Sequence, residues 1–355
     1  MSRTVTVLLG ILTAIMVGWV LHVGSGILQP LVIALLLASM LQPVIRGAAR
    51  WRIPPAGMVL IIVVLMFLGL ARLGLVLQTE ISSYVGGGGW SGVKANLKDN
   101  IRAWDQVPLE FRDFLVSSID QIRLQDLASD LIGGGLGFTK GLFLVLLYMV
   151  FIFAEQAVFR SKILSVAGEN QAEARQILDT IGRGIQRYLG VKTVVSLATG
   201  AMCYAVLVTL KVPSAPLFGL LTFLLNYIPT FGSIIAGIFA AITALTVSVP
   251  TALFVALTYI VVNVVLGSVI EPRILGRELN LSPLVIIVSV VIWGGLWGVV
   301  GAFLAVPITA ALQIILASAE ATHPIAVMLS SGPPRDERRK FWKKGPSESE
   351  PETAA

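Results

Sequence analysis

Eight apolar runs dominate this sequence and lie at about residues 4–22, 27–45, 56–77, 131–154, 188–210, 215–246, 250–270 and 282–317. A helix needs about 20 apolar residues to cross the hydrocarbon core of a bilayer, at about 1.5 Å per residue. A segment in lipid must satisfy its own backbone hydrogen bonds, and an α-helix does so. The pattern therefore predicts an all-α polytopic membrane protein with about six spanning helices, for which the lipid bilayer is the first partner.

The composition is typical of a chain that lipid covers. Hydrophobic residues make up 56% of the 355 residues and charged residues only 13%, which is too few to solvate a globular surface of this size. The net charge of +6 comes from Lys and Arg dispersed between the apolar runs. That distribution orients membrane spans and does not predict a nucleic-acid partner. Cys203 is the one cysteine, which excludes an intramolecular disulfide and a thiolate metal cluster.

The sixth and eighth runs are longer than a single crossing requires, at about 32 and 36 residues, yet too short for two full crossings with a turn. Each is interrupted near its middle, the sixth at Asn226–Gly232 and the eighth at Trp293–Gly298. Non-helical backbone at membrane depth persists only where protein buries it or where it lines a wet cavity. We expect two interrupted or re-entrant helical hairpins. The alternative is one long, tilted and kinked span in each case.

Loop charges predict the orientation. Arg46, Arg50 and Arg52 lie in a loop without acidic residues, which places that loop and the N-terminus in the cytoplasm. If the two long runs are hairpins, the loop at residues 271–277 and the C-terminus are cytoplasmic as well. Helical spacing of apolar residues predicts amphipathic helices at residues 78–130, on the extracytoplasmic side, and at residues 155–187, on the cytoplasmic side. The expected units are a three-span unit (1–77), an outer amphipathic region (78–130) and a fourth span (131–154). They are followed by inner amphipathic helices (155–187), a transport core with the two broken helices (188–317) and a basic then disordered tail (318–355).

Two interrupted apolar segments in one half of a chain indicate the substrate site of a secondary transporter. The residues at the breaks, with one polar residue in the span between them, form the predicted substrate path: Asn226, Tyr227, Pro229, Thr230, Gly232, Asn263, Trp293, Gly294, Trp297, Gly298, Gly301 and Pro307. For Asn226 and Thr230 the alternative is capping of backbone groups freed by the break. For Asn263 it is a hydrogen bond between helices.

Three ionisable residues follow the seventh run and form the predicted gate or coupling group: Glu271, Arg273 and Arg277. Ionisable groups beside a membrane span are candidates for function because burying them costs several kcal/mol unless they are paired or hydrated. Glu271 and Arg273 are two residues apart and could form a salt-bridged gate, or they could anchor the helix at the interface. Glu155 and Lys192 are expected to snorkel to the cytoplasmic ends of their spans.

Sequence motifs of enzymes and motor proteins are absent. The sequence has only two histidines, no nucleophile elbow and no phosphate-binding glycine loop followed by Lys and Ser or Thr. We expect no enzymatic activity, no cofactor and no metal. Transport without a nucleotide-binding motif must use an ion gradient or the gradient of the solute itself.

The C-terminal half resembles the autoinducer-2 exporter family of permeases. The resemblance rests on Pro216–Gly232 (PLFGLLTFLLNYIPTFG), on Glu271–Pro272–Arg273, and on Trp293–Gly301 (WGGLWGVVG) followed by Leu304–Pro307 (LAVP). It implies a multi-pass protein of the bacterial inner membrane that forms a homo-oligomer and exports small solutes, in some members the quorum-sensing signal autoinducer-2. Other members resemble sodium or lithium/proton antiporters.

Three functions follow as hypotheses. The first is export of a small polar solute along the two breaks, where the ends of half-helices supply partial charges and free backbone groups. The second is sodium or lithium/proton antiport with Glu271 or Glu155 as the proton carrier, against which stands the scarcity of carboxylates within the membrane runs. The third is a non-transporting membrane scaffold, which would have no need of broken helices.

Overall fold

The computed structural model describes residues 3–48, 54–86, 89–103, 108–121, 135–229, 231–275 and 281–332. These residues form helices joined by short connections, and the β-pairing found among them is a single antiparallel bridge between Leu281 and Ser330. Six of the helices are long and apolar enough to cross a membrane, at Ser25–Ile45, Gly57–Tyr84, Lys140–Val166, Gly168–Thr209, Val249–Leu275 and Pro283–Ser318. The prediction of an all-α polytopic membrane protein is confirmed.

The N-terminal half contains α1 (Arg3–Val23), α2 (Ser25–Ala48), α3 (Pro55–Gly86), the shorter α4 (Gly89–Arg102) and α5 (Leu109–Gln121), and α6 (Gly135–Val166). A turn of 3₁₀ helix (Gly168–Asn170) leads into α7 (Gln171–Thr209), which is continuous over 39 residues. Helices α2, α3 and α6 enclose one apolar core around Ala34, Leu146 and Met149. Helix α7 connects this half to the C-terminal half.

The sixth apolar run folds as a hairpin, which we call the first hairpin. It consists of α8 (Ala215–Leu225), a turn at residues 226–229 and α9 (Phe231–Ala244). At 1.5 Å per residue α8 is about 17 Å long and α9 about 21 Å, so both are shorter than the hydrocarbon core. A Cβ atom on Gly232 would overlap the carbonyl oxygen of Leu225. Glycine at this position therefore allows the chain to reverse within a few residues.

The eighth run is also a hairpin, which we call the second hairpin. It is α12 (Pro283–Ser318), and its backbone leaves the helix at Gly298, where φ is 65° and ψ is −146°. The indole Nε1 of Trp293 donates a hydrogen bond of 3.2 Å to Thr309 Oγ1. Sixteen residues of straight helix would hold these side chains about 24 Å apart. The chain therefore reverses at Gly298, and the single kinked span is excluded for this run.

Between the hairpins lie α10 (Val249–Val262), a π-helical segment (Asn263–Ile270) and the one-turn helix α11 (Glu271–Leu275). The final described helix, α13 (His323–Leu329), packs back on α12. A π-helix is rare in proteins and is frequently found at functional sites. This one lies between the two hairpins in sequence.

The two hairpins open in opposite directions along α7. The open end of the first hairpin lies beside the end of α3, where Tyr84 hydrogen-bonds Thr243 at 2.6 Å between their hydroxyl oxygens. The open end of the second hairpin lies beside the other part of α7, because Leu281 shares a core with Tyr188 and Leu189. The hairpins therefore approach the middle of the protein from opposite ends.

Candidate functional site

One face of α7 carries buried polar side chains through the apolar core. Lys192, Ser196, Thr199 and Cys203 are spaced three or four residues apart and are each at most 4% exposed, so they lie on one stripe of the helix. Within the same stretch of α7, Gly200 lies against α8, where an added Cβ would be 2.8 Å from the carbonyl oxygen of Gly219. This close approach brings the polar stripe of α7 against the first hairpin.

A buried ion pair joins α7 to α11. Lys192 Nζ lies 2.8 Å from Glu271 Oε1 and 3.0 Å from Glu271 Oε2. The two side chains are only 5% and 12% exposed, so the pair lies in a low dielectric where each charge depends on the other.

The turn of the first hairpin lies one turn of α7 beyond the ion pair. Asn226 Nδ2 donates to Ser196 Oγ at 3.0 Å, and Tyr227 Oη donates to Thr193 Oγ1 at 2.7 Å. These two bonds and the ion pair all lie at residues 192–196 of α7, and we call their six side chains the polar layer: Lys192, Thr193, Ser196, Asn226, Tyr227 and Glu271. The break in the sixth run is what places amide and phenol groups in this layer.

The π-helical segment connects the first hairpin to the ion pair. Ser233 Oγ donates to Asn263 Oδ1 at 2.9 Å, which ties the start of α9 to the start of the π-helix. Asn263 therefore makes a hydrogen bond between helices, as the alternative interpretation of that residue predicts. The wide π turns end at Glu271 and present its carboxylate to Lys192.

The second hairpin meets the first beside the polar layer. The Tyr227 ring stacks on Phe303 with centroids 4.6 Å apart and an interplanar angle of 25°. Ile228, in the turn of the first hairpin, packs against Val290 and Ala305 in the two arms of the second. The two helix breaks are therefore neighbours in space, although about 70 residues separate Asn226 from Gly298.

The tip of the second hairpin rests on the corner between α1 and α2. Trp297 Nε1 donates to the Leu21 carbonyl oxygen at 2.9 Å, and Gln29 Nε2 donates to the Trp297 carbonyl oxygen at 3.3 Å. His22 Nδ1 lies 2.9 Å from the carbonyl oxygen of Leu296 and donates to it. The backbone groups that the break at Gly298 leaves free are thus partly satisfied by the N-terminal helices.

The remaining residues of the predicted substrate path are arranged around this contact. Pro229 is half-buried in the first turn and Gly232 is buried just after it. Gly294 packs near Ala302 across the second hairpin, and Gly301 and Pro307 are buried in its returning arm. Thr230 and Arg277 lie outside the described residues.

Two interpretations of charged residues are wrong. Glu271 pairs with Lys192 on α7 and not with Arg273, which is exposed, because successive side chains on a helix point in different directions. Lys192 does not snorkel: it is 4% exposed and points into the core. Sequence analysis also missed Thr193 and Ser196, which only the spacing of small polar residues on α7 could have indicated.

Within the described residues, no group of three or more His, Cys, Asp or Glu side chains could hold a metal ion. The polar layer has one carboxylate and one ammonium group, together with hydroxyl and amide groups. This set of groups can bind a solute through hydrogen bonds.

Comparison with known proteins identifies relatives over nearly the whole chain. The family described as "AI-2E family transporter" matches residues 9–321. The chain is 32% identical to "AI-2 transport protein TqsA" of Escherichia coli (strain K12), over 92% of this chain and 95% of that protein. It is 30% identical to a "Putative transport protein" of Haemophilus influenzae, over 91% of this chain and 95% of that protein. These relatives are transporters, which points away from an enzyme.

Proposed function

We propose that this chain, which belongs to the AI-2E transporter family, exports a small polar solute across a bacterial inner membrane, and that autoinducer-2 is its first candidate substrate. The family and its relatives establish that the chain is a membrane transporter. The choice of substrate follows from the name of the relative in Escherichia coli. The polar layer is the proposed binding region.

One observation carries the proposal most directly. Two helical hairpins approach from opposite ends of α7, and Tyr227 in the turn of the first stacks on Phe303 of the second. Broken helices beside buried polar groups are the usual construction of a solute site in secondary transporters. A membrane scaffold would gain no function from broken helices, and each break removes backbone hydrogen bonds within the membrane.

We further propose that the solute path follows the residues predicted at the two breaks and that both termini are cytoplasmic. Two reversing hairpins support this orientation, because they leave the end of α2 and the Glu271–Leu275 helix on one side of the bundle, each hydrogen-bonded to the first half of α7. The path would run between Asn226 and Tyr227 of the first hairpin and Trp293 of the second.

Assembly with copies of the same chain is also proposed. Arg72 lies within the apolar span Gly57–Tyr84 and is exposed on the single chain. Charged side chains within membrane spans usually face protein or water and not lipid. A second copy packed on α3 would remove Arg72 from lipid, and the mass of the purified protein–detergent complex tests this directly.

Inverted membrane vesicles test the proposed export. Wild-type vesicles should accumulate labelled autoinducer-2, and Pro229→Ala should lower the initial rate about tenfold, the equivalent of about 1.4 kcal/mol in the barrier. Proline at this position fixes φ in the turn and removes a backbone donor. The matched control is Pro213→Ala, since Pro213 is exposed and lies outside the hairpin. Equal rates for the two variants would contradict the path, and sodium-triggered proton movement without solute accumulation would replace export by antiport.

A further inference from the structure

The polar layer combines two full charges whose sum is zero. Lys192 and Glu271 are the charged members, and their side chains are 5% and 12% exposed. By comparison, the side chains of the Arg160–Asp179 pair near the start of α7 are 41% and 38% exposed. The buried pair therefore interacts through a much lower dielectric than the outer pair.

The titratable and charged groups around the pair can be named element by element. Helix α7 contributes Tyr188, which lies within electrostatic range of Glu271, and the exposed Arg187, which donates to the Ile274 carbonyl oxygen at 3.1 Å. The first hairpin contributes Tyr227, and α11 contributes the exposed Arg273. Helix α12 contains no titratable residue. Among the described residues, the buried part of the layer therefore has no third charge to balance an ion that enters it.

Charge balance decides which solutes such a site accepts. A monoanion or a monocation placed between Lys192 and Glu271 would leave one uncompensated charge in a low dielectric, which is strongly unfavourable. A neutral solute leaves the sum at zero. Such a solute must offer acceptors to the ammonium group and donors to the carboxylate, because the Lys192 ammonium only donates and the ionised Glu271 carboxylate only accepts.

Groups next to the pair suit the same kind of solute. The Tyr227 and Thr193 hydroxyls are hydrogen-bonded to each other at 2.7 Å, and the Asn226 amide is bonded to Ser196 at 3.0 Å. Hydroxyl and amide groups donate and accept without carrying charge. They can exchange partners with a hydroxylated molecule at little cost, since each bond broken is replaced by one of the same kind.

We propose that the Lys192–Glu271 pair is the recognition element of the transport site, that it separates to hold a neutral, hydroxyl-bearing solute between the two charges, and that its zero net charge excludes ionic solutes. This proposal rests on the export function proposed above. It assigns Lys192 and Glu271 to specificity, whereas a structural salt bridge would contribute to folding alone.

Three probes of the same size and different charge test the proposal on wild-type vesicles at pH 7: ribitol, its carboxylate ribonate and its amine ribitylamine. Ribitol should inhibit autoinducer-2 accumulation at least about tenfold better than either ion, because an uncompensated charge costs more than this ratio requires. If ribonate or ribitylamine inhibits the wild type more strongly than ribitol does, the proposal is overturned and no variant is needed.

Substitutions then separate recognition from folding. Glu271→Gln leaves a net positive site and should shift the preference to ribonate, whereas Lys192→Gln leaves a net negative site and should shift it to ribitylamine. The charge-exchanged variant, Lys192→Glu with Glu271→Lys, retains zero net charge and should retain the preference for ribitol. A structural salt bridge predicts lower protein levels but an unchanged order of probes, and that result in the folded fraction refutes the proposal.

A control variant and the wild type distinguish the possible failures. Neutralising the exposed pair, with Arg160→Gln and Asp179→Asn, should leave the order of probes unchanged. If wild-type vesicles accumulate autoinducer-2 but substitutions in the buried pair leave the order of probes unchanged, only the recognition role fails. If wild-type vesicles accumulate neither autoinducer-2 nor labelled ribitol, the export function itself fails.

Discussion

Replacing Gly301 by alanine should open the second hairpin at its tip. A Cβ at this position would overlap the Trp293 carbonyl oxygen and lie 2.8 Å from Trp297 Cβ. Carbon atoms in contact are normally about 3.5–4.0 Å apart, so one arm must move by about 1 Å relative to the other. Overpacking a well-packed site costs about 1–3 kcal/mol. We expect the upper end, about 3 kcal/mol, because the nearest obstacle is backbone.

Thermal unfolding of the detergent-solubilised protein, followed by tryptophan fluorescence at a fixed heating rate, measures this effect. At roughly 2 °C per kcal/mol for a chain of this size, the melting temperature should fall by about 6 °C. The matched control is Gly295→Ala, on the other side of the tip, where an added Cβ meets nothing within 4 Å. A melting temperature within about 1 °C of this control would refute the close contact between the two arms.

The other predictions concern the same hairpin and the ion pair. Gly298→Ala should cost about 1–3 kcal/mol although there is space for a methyl group, because the backbone has φ 65° and ψ −146°; an unchanged melting temperature would contradict this. Lys192→Met should cost about 3–5 kcal/mol by leaving Glu271 unpaired, and adding Glu271→Gln should recover most of it; a double variant as unstable as the single one would show that packing dominates. Ser282→Ala should cost about 1 kcal/mol because Ser282 Oγ accepts the Val285 N–H at 3.2 Å at the start of the hairpin, as a urea titration of the folded fraction can determine.

The fold could be predicted largely from segment length and from glycine and proline. An apolar run of about 36 residues with glycines at its centre has few arrangements in a membrane, and the bond between Trp293 and Thr309 confirms the hairpin. The continuity of α7 was harder to predict from the sequence. Its polar first half and apolar second half differ in composition and it contains four glycines, yet no proline interrupts it and it continues as one helix.

The partner of Glu271 could not be predicted from the sequence. Lys192 lies 79 residues away, and local spacing favoured Arg273 or an exposed lysine at a membrane interface. The contact depends on where the π-helical segment ends, since its wider turns determine the direction of the Glu271 side chain. A π-helix has no sequence signature in Asn263–Ile270 that distinguishes it from an α-helix, so the decisive geometry becomes visible only in three dimensions.

The chemistry of the contact between the hairpins bears on how a solute could pass. Within the described residues, Tyr227 and Ile228 join the first hairpin to Phe303, Val290 and Ala305 of the second through apolar contacts. Each hairpin is held elsewhere by hydrogen bonds, the first to α3 through Thr243 and the second to the α1–α2 corner through Trp297. Apolar surfaces lack directional bonds and can slide with a small change in energy, whereas the hydrogen-bonded anchors resist movement. Displacement of the first hairpin at this joint would break the Tyr227–Thr193 and Asn226–Ser196 hydrogen bonds to α7, so movement of the second hairpin against it is the less costly way to expose the polar layer.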